Sequence, residues 1–150
     1  MLFLLLMPCF CLSQIKTGSF SELETIAKGN HKPIIIHIYT DWCSVCRIEF
    51  FNLNKDKDLV NVINNNFYFI SFEAEKTKEK IIFQRQEFNY LPNGNSGIHE
   101  LVLALSKNKT KPVYPLWIIL DKDQNLIEYH EGLFKPDEMK EKLLEISTLK

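Results

Sequence analysis

The hydrophobic positions of this chain fall into short apolar runs separated by stretches of mixed polarity. A β-branched run at 34–39, interrupted only by His37, is typical of a central strand buried on both faces. Apolar residues recur at helical spacing over 47–51 and again over 58–63, which predicts two helical pieces. A second apolar run at 67–72 predicts another strand, so the first half of the chain alternates strand and helix.

Both ends of the expected domain are predicted to be helical. Ser19 and Glu22 have the pattern of a capping box, with the glutamate three residues after the serine, so a short helix is expected through Lys28. Pro136 opens an amphipathic helix near the carboxyl end, with one apolar face. That face consists of Met139, Leu143, Leu144 and Ile146.

The second half of the chain contains a long polar insertion and a predicted hairpin. The insertion, 76–111, is expected to hold a loop at 92–97 and a helix over 98–105. An insertion of this length tends to be functional or mobile. A strand over 113–120 and a return strand over 126–130 follow it. The whole pattern predicts an α/β fold with a central mixed sheet flanked by helices, in which a helical and loop segment is inserted before the strand at 113–120.

Composition places the chain among ordinary globular domains. Of its 150 residues, 45% are hydrophobic and 25% are charged, and this length is typical of one domain. The 18 basic residues nearly balance the 19 acidic ones, for a net charge of −1. This balance argues against binding through a basic surface, so neither nucleic acid nor a membrane surface is expected as a partner.

Residues 1–12 are the most apolar part of the chain, and they predict a cleaved secretory signal. They are too few for a transmembrane helix, which needs about 20 apolar residues. A small-x-small cleavage pattern ends at Ser13, although the segment is short and no Lys or Arg precedes it. A start codon a few residues upstream would explain both departures. We therefore assign 1–13 to a signal peptide and 14–150 to a mature domain exported to the periplasm, with no membrane span.

Two other interpretations of this segment have less support. A lipoprotein anchor at Cys9 lacks the small residues that such sites prefer, and Pro8 argues against a buried strand or helix. Export would place the mature chain where disulfides persist, and cleavage would remove Cys9 and Cys11. The mature chain would then keep two cysteines, Cys43 and Cys46.

Cys43 and Cys46 form a Cys-x-x-Cys motif at the junction between the strand at 34–39 and the helix that follows. Unpaired backbone N–H groups and the helix dipole favour a negative charge there, which lowers the pKa of the first cysteine. Thiolate is the attacking species in disulfide exchange, and the i, i+3 spacing brings Cys46 beneath Cys43, where it can resolve a mixed disulfide. Trp42 would flank the nucleophile with an apolar wall.

A single Cys-x-x-Cys motif has two other interpretations. It is half of a structural zinc site, but such a site needs two more ligands, and His37 and His99 are single and widely spaced. It can also be an inert structural disulfide, although so short a loop contributes little stability. The strand, the tryptophan and the helix around the motif favour redox chemistry, and no metal is expected.

Three landmarks in the same order resemble the thioredoxin superfamily, and the resemblance covers roughly residues 17–150. The first is the strand at 34–46 that ends in Trp-Cys-x-x-Cys, the second is a proline followed by a strand at 113–121, and the third is Glu131-Gly132 before the last helix. The helical connection between the first two strands is most similar to that of secreted or periplasmic thioredoxin-like proteins of bacteria.

The resemblance implies a thioredoxin fold in which Cys43 is the nucleophile and Cys46 the resolving thiol. Their redox-active disulfide is the only cofactor expected. The resemblance also implies that Pro115 follows a cis peptide bond and lies opposite the cysteine pair, and that the backbone of Tyr114 pairs with an extended substrate segment. Trp42, Tyr114 and Pro115 are therefore the expected substrate-binding residues.

His37 stands six residues before the first cysteine, where the family carries a buried acid that helps move a proton off the resolving thiol. A histidine can do this with a pKa nearer neutrality. A lone histidine on an apolar strand is more often a satisfied core residue, so both roles stay open for His37. Ser44 and Val45 also replace the Gly-Pro dipeptide of the best-known members, which leaves the reduction potential open.

The sequence thus predicts a thiol–disulfide oxidoreductase that acts on protein dithiols and disulfides through a mixed disulfide at Cys43. Reduction of substrate disulfides is slightly favoured over oxidation, by analogy alone. Its partners would be protein clients and an unidentified redox partner, and the chain is expected to be monomeric. The alternative is a thioredoxin-fold binding or chaperone-like module that uses the groove at Tyr114 and Pro115, with a Cys-x-x-Cys motif that is inert or holds a metal ion.

Overall fold

A computed structural model describes residues 14–26, 32–107 and 110–148. Its helices are α1 (Phe20–Ile26), α2 (Ser44–Lys55), α3 (Lys57–Asn66), α4 (Glu100–Leu105) and α5 (Pro136–Thr148). Its strands are β1 (Ile34–Tyr39), β2 (Tyr68–Glu73), β3 (Ile81–Phe83), β4 (Gln86–Phe88), β5 (Tyr90–Asn93), β6 (Ser96–His99), β7 (Leu116–Leu120) and β8 (Leu126–Glu131). The predicted signal segment 1–13 lies outside the described residues. None of the helices within those ranges is long and apolar enough to cross a membrane.

Four strands form the central sheet, in the order β2–β1–β7–β8. β1 pairs in parallel with β2 and antiparallel with β7, and β7 pairs antiparallel with β8. β1 and β7 are the two interior strands, and nearly all of their side chains are buried on both faces. This burial explains why both strands appear in the sequence as continuous apolar runs. The mixed sheet with its final antiparallel hairpin agrees with the prediction.

Alternate residues of β1 face two separate hydrophobic cores. Ile34, Ile36 and Ile38 face one core, which α1, α4 and β3 close. Ile35 faces the other core, which α2, α3 and α5 close. Because successive strand side chains point to opposite faces, His37 lies on the same side as Ile35. The two cores place helices on both faces of the sheet.

Local side-chain hydrogen bonds determine where two of the helices begin. The Ser19 N–H donates to Glu22 Oε2 (2.8 Å) and the Glu22 N–H donates to Ser19 Oγ (3.2 Å), so the predicted capping box is present. Asp56 caps α3, since its Oδ1 accepts from the Leu59 N–H at 3.0 Å. The predicted end of α1, at Lys28, lies outside the described residues.

The inserted segment 76–111 differs from its predicted structure, because it contains two hairpins as well as a helix. β3 pairs with β4, and β5 pairs with β6. The loop predicted at 92–97 is the second of these hairpins, and α4 begins at Glu100 rather than at residue 98 because 96–99 are strand. The side chains of β4 and β5 are mostly exposed, so these strands have little hydrophobic alternation, and β3, although Ile81 and Phe83 are buried, is only three residues long. The sequence pattern therefore does not reveal them.

One face of α5 packs against the core, and the prediction of that face was wrong for one residue, Leu144, which is exposed. Met139, Leu143 and Ile146 are buried, whereas Leu144 is 45% exposed. Positions 139, 143 and 146 follow the i, i+4, i+7 spacing of a single face. Leu144 is rotated by about 100° from Leu143 around the helix axis, which turns it toward solvent.

Leu143→Ala should destabilise the fold by about 2–5 kcal/mol, because it leaves a cavity at a fully buried position. Leu144→Ala is a matched control, since it makes the same change on the next residue of the same helix. It should cost no more than about 1 kcal/mol, because that side chain is partly exposed. Urea unfolding followed by circular dichroism measures both values, and equal losses would contradict the orientation of α5.

Candidate functional site

The turn between β1 and α2 places Cys43 at the amino-terminal end of α2. β1 ends at Tyr39, the Cys43 N–H donates to the Thr40 carbonyl (3.0 Å), and α2 begins at Ser44. Cys43 is the N-cap of the helix and has the extended backbone that a capping residue adopts. The Sγ atoms of Cys43 and Cys46 are joined in a disulfide. The motif therefore stands at the strand-to-helix junction predicted for it.

The surroundings of the Cys43 sulfur favour a thiolate. The Cys46 N–H donates to Cys43 Sγ at 3.1 Å, and the sulfur lies at the positive end of the dipole of α2. Cys43 is 6% exposed and Cys46 is 2% exposed. Both cysteines are thus largely buried, and Cys43 is slightly the more exposed of the two.

Pro115 lies beside this turn because β1 and β7 are neighbouring strands. Ile38 pairs with Leu116, so the residue before Leu116 stands next to the carboxyl end of β1. The Tyr114–Pro115 peptide bond is cis. The rings of Trp42 and Tyr114 meet edge to face, with their centroids 5.9 Å apart. The structure thus brings the expected substrate-binding residues together at the turn that carries the disulfide.

Trp42 is anchored although its side chain is 65% exposed. Its Nε1 donates to Glu75 Oε2 at 3.0 Å. The neighbouring carboxylate of Glu73 accepts hydrogen bonds from the backbone N–H groups of Asp41, Glu75 and Lys76. These bonds join the turn before Cys-x-x-Cys to the end of β2. Acidic side chains therefore hold the apolar wall that the sequence predicts beside the nucleophile.

His37 is enclosed in the core and is not at the reactive surface. It is 2% exposed, and its ring stacks on Trp117 with the centroids 4.2 Å apart. Neither ring nitrogen has a hydrogen-bond partner among the described residues. His37 Nε2 lies 3.7 Å from Glu49 Oε2, which is too far for a hydrogen bond. Burial lowers the pKa of His37 to about 3, so the imidazole is neutral at physiological pH.

Glu49 is a buried acid that the sequence analysis missed. It is 1% exposed and lies one helical turn after Cys46, on the buried face of α2. Each of its carboxylate oxygens accepts from Trp117 Nε1 at 3.2 Å, and the carboxylate also accepts from the Phe134 N–H. Burial raises the pKa of Glu49 to about 7, and these hydrogen bonds oppose the rise. The sequence signal that could have identified it is the spacing: Glu49 lies three residues after Cys46 and four before Leu53, on one face of the helix.

A cavity of about 540 Å³ adjoins Cys46. Cys46, His37, Tyr39 and Phe50 form part of its wall. His37 thus lines this cavity and also lies 3.7 Å from the carboxylate of Glu49, which is not part of the cavity wall.

Within the described ranges, no group of three or more His, Cys, Asp or Glu side chains is placed to hold a metal ion. His99 has a structural part instead, as the N-cap of α4. Its Nδ1 accepts from the Leu101 N–H at 3.2 Å, and its Nε2 lies 3.0 Å from the Glu79 carbonyl oxygen. Both ring nitrogens of His99, which the sequence analysis considered and rejected as a zinc ligand, thus face backbone groups.

Solved structures similar to this one have the same fold. DsbH oxidoreductase is 14% identical in sequence, with a TM-score of 0.57 over 99% of this chain and 94% of that one. A thioredoxin-fold protein from Helicobacter pylori is 18% identical, with a TM-score of 0.56 over 79% of this chain and 70% of that one. The disulphide isomerase from Xylella fastidiosa is 12% identical, with a TM-score of 0.51 over 87% of this chain and 92% of that one. At these identities the likeness establishes the fold alone.

No curated protein sequence matches this chain. The sequence model of the thioredoxin-like domain matches residues 20–147, which include the Cys-x-x-Cys motif, Pro115 and α5 up to residue 147. Since that match covers most of the chain and the fold agrees with it, this chain belongs to the thioredoxin-like domain family.

Proposed function

We propose that this protein is a thiol–disulfide oxidoreductase that exchanges electrons with protein clients through Cys43 and Cys46. The observation that carries the proposal is the position of Cys43 Sγ, which caps α2, accepts the Cys46 N–H and is joined to Cys46 in a disulfide. A sulfur in this position is stabilised as a thiolate, the species that attacks disulfides. The similar folds of an oxidoreductase and a disulphide isomerase support the same chemistry.

In the reducing direction, the Cys43 thiolate attacks one sulfur of a client disulfide. A bond forms between Cys43 Sγ and that sulfur, and the client S–S bond breaks with its electron pair on the second client sulfur. Cys46 then loses its proton and attacks Cys43 Sγ, which closes the internal disulfide and releases the first client sulfur as a thiolate. Two electrons have passed to the client, and a separate dithiol donor must restore the reduced protein.

Glu49 is the proposed acceptor of the Cys46 proton. His37 is the candidate for this role by its position in the sequence, but a group with a pKa of about 3 is a weak base at neutral pH. Glu49 has a pKa of about 7, and it lies one helical turn from Cys46 on the same buried face. Where the family carries an acid on the strand, this chain has His37, and α2 supplies a carboxylate 3.7 Å from it.

Reduction is the proposed direction, with protein disulfides as substrates and an unidentified dithiol protein as electron donor. Equilibration with a glutathione buffer measures the reduction potential and therefore tests the direction. A potential near that of thioredoxin, about −270 mV, would agree with a reductase, whereas a value near −120 mV would identify an oxidant.

The cysteine pair should behave asymmetrically. Cys46→Ser should accumulate mixed disulfides between Cys43 and client proteins, because the resolving thiol is missing. The matched variant Cys43→Ser should form few, since Cys46 is the less exposed of the two cysteines and lies inside the first turn of α2 rather than at its N-cap. In the wild-type protein the pKa of Cys43, followed by thiolate absorbance, should lie roughly between 3.5 and 7.5. A pKa at or above about 8.5, together with no turnover of a disulfide substrate, would contradict the enzyme and favour a binding module.

Glu49→Gln should slow turnover by about 100-fold, because it removes the acceptor of the Cys46 proton. The change keeps an oxygen that can accept from Trp117 and Phe134. The inflection of the wild-type rate near pH 7 should disappear with it. His37→Phe is the control, since it preserves an aromatic ring against Trp117 and should keep an inflection. Loss of the inflection in His37→Phe but not in Glu49→Gln would identify His37 as the acceptor of the Cys46 proton.

Stability provides a second measurement on the same variant. Folding raises the pKa of Glu49 above its ordinary value of 4.5, so the fold favours the protonated form. The wild-type protein should therefore be most stable below about pH 4.5 with respect to this group and lose stability as the pH rises through 7. Glu49→Gln should lack that loss in urea unfolding measured at pH 5 and pH 8.

Export of the protein to the periplasm is proposed with the same function. Ile15, the second residue of the proposed mature chain, is 7% exposed, and its N–H donates to Asn54 Oδ1 at 2.9 Å. The ordered domain thus extends to the expected cleavage point. When the full chain is produced in a bacterium, mass spectrometry should find a periplasmic protein that begins at Gln14. A cytoplasmic protein that retains residues 1–13 would contradict export.

A further inference from the structure

A cavity of about 340 Å³ lies beside the redox site, between Trp42 and the inserted β5–β6 hairpin. Tyr114, Glu75 and the loop at 110–112 complete its wall. We call it the hairpin cavity. Because Trp42 immediately precedes Cys43, a client whose sulfur reaches Cys43 has its neighbouring residues close to this cavity.

The β5–β6 hairpin is anchored to the domain, so the cavity is preformed. His99, the last residue of β6, is fully buried, and its N–H donates to the Ala74 carbonyl at 2.9 Å. Gly97 permits close packing inside the hairpin, since a Cβ there would lie 2.5 Å from the Leu91 carbonyl oxygen. A wall that is already ordered lowers the entropic cost of binding a flexible segment.

Two aromatic rings and a carboxylate line the same cavity, and together they have the chemistry that recognises an organic cation. The rings of Trp42 and Tyr114 are inclined at 81° to each other. Glu75 Oε2 accepts from Trp42 Nε1, and no Lys or Arg of the described chain pairs with this carboxylate. Cations bind to the faces of aromatic rings and donate strong hydrogen bonds to carboxylates.

The electrostatic environment of Tyr114 also favours a cation. Burial raises the pKa of Tyr114, and the negative charges of Glu75 and Glu73 raise it further. The Tyr114 hydroxyl is buried and has no hydrogen-bond partner in the described part of the chain. Lys111 is the one basic residue in the cavity wall, and it lies three residues before Tyr114 on the same loop.

We propose that the hairpin cavity binds a Lys or Arg side chain of the client polypeptide, within about three residues of the reactive client cysteine. The inference rests on the proposed oxidoreductase function and names the clients that it selects. An arginine fits best, because its planar guanidinium can stack on Trp42 while its N–H groups donate to Glu75. An acidic side chain at the same place is repelled by Glu75.

A series of disulfide-bonded peptides tests the proposal, with Arg, Gln or Glu placed in turn at each position within three residues of the cysteine. At the best position, kcat/KM for the Arg peptide should exceed that for the Gln peptide by about five- to tenfold. The Glu peptide should be the slowest. Glu75→Gln, which keeps an oxygen to accept from Trp42 Nε1, should bring the Arg-to-Gln ratio close to one.

Glu87→Gln, on the inserted segment, is the matched control for Glu75→Gln. Glu87 pairs with Lys80 (3.2 Å) on the other hairpin and does not line the cavity, so this variant should keep the wild-type ratio. Equal ratios in the wild type and Glu75→Gln at every position would overturn the cavity assignment, while turnover of the Gln peptide would still support the oxidoreductase. A preference for the Glu peptide would also overturn it, since Lys111 would then be the selecting charge.

A binding assay with peptides that cannot react tests the cavity assignment separately from the proposed enzyme activity. If no peptide disulfide is reduced, the proposed function fails, and the cavity is judged with peptides that carry Ser in place of Cys. Fluorescence titration should then show about five- to tenfold tighter binding of the Arg peptide than of the Gln peptide, and no difference in Glu75→Gln. Equal affinities in the wild type would overturn the cavity assignment.

Discussion

The antiparallel pairing of β1 with β7 determines where the reactive residues of this protein stand. Ile38 pairs with Leu116, so the carboxyl end of β1 lies beside the amino end of β7. The first strand leads into the turn that carries Cys43, and the second follows Pro115 directly. Both strands are covered by a core on each face, and a slip of one residue would turn every side chain toward the opposite core. Burial of the sheet therefore holds the site in place.

The same sheet encloses a buried histidine whose ring nitrogens make no hydrogen bond with the described residues. His37 has no hydrogen-bond partner in the described chain, and a buried polar group in that condition costs about 1–3 kcal/mol. This cost is large against a total stability of roughly 5–15 kcal/mol for a domain. Stacking on Trp117 recovers part of it, and Glu49 is held by three hydrogen bonds. The proposed transfer of the Cys46 proton to Glu49 would give this buried carboxylate a role.

The longer elements that bury side chains in a core were the ones predicted correctly from the sequence. β1, β7 and α3 pack against a core, so their apolar spacing reveals them. The insertion is different, because β4 and β5 bury little and their pairing partners are their own hairpin neighbours. Leu144 shows the same limit on a smaller scale: its hydrophobicity suggests a core position, and only the helix orientation reveals that it faces solvent.

The amino-acid sequence was sufficient to predict the four strands of the central sheet, the helices, the capping box at Ser19 and the position of Cys43 at a helix start. These features depend on apolar periodicity and on contacts between residues a few positions apart. The contact of Glu49 with Trp117, 68 residues away, and the cavity between the inserted hairpin and Trp42 are visible in the folded chain alone. Contacts between distant residues depend on how the layers pack, and the proton affinity of a buried acid depends on the water that packing excludes.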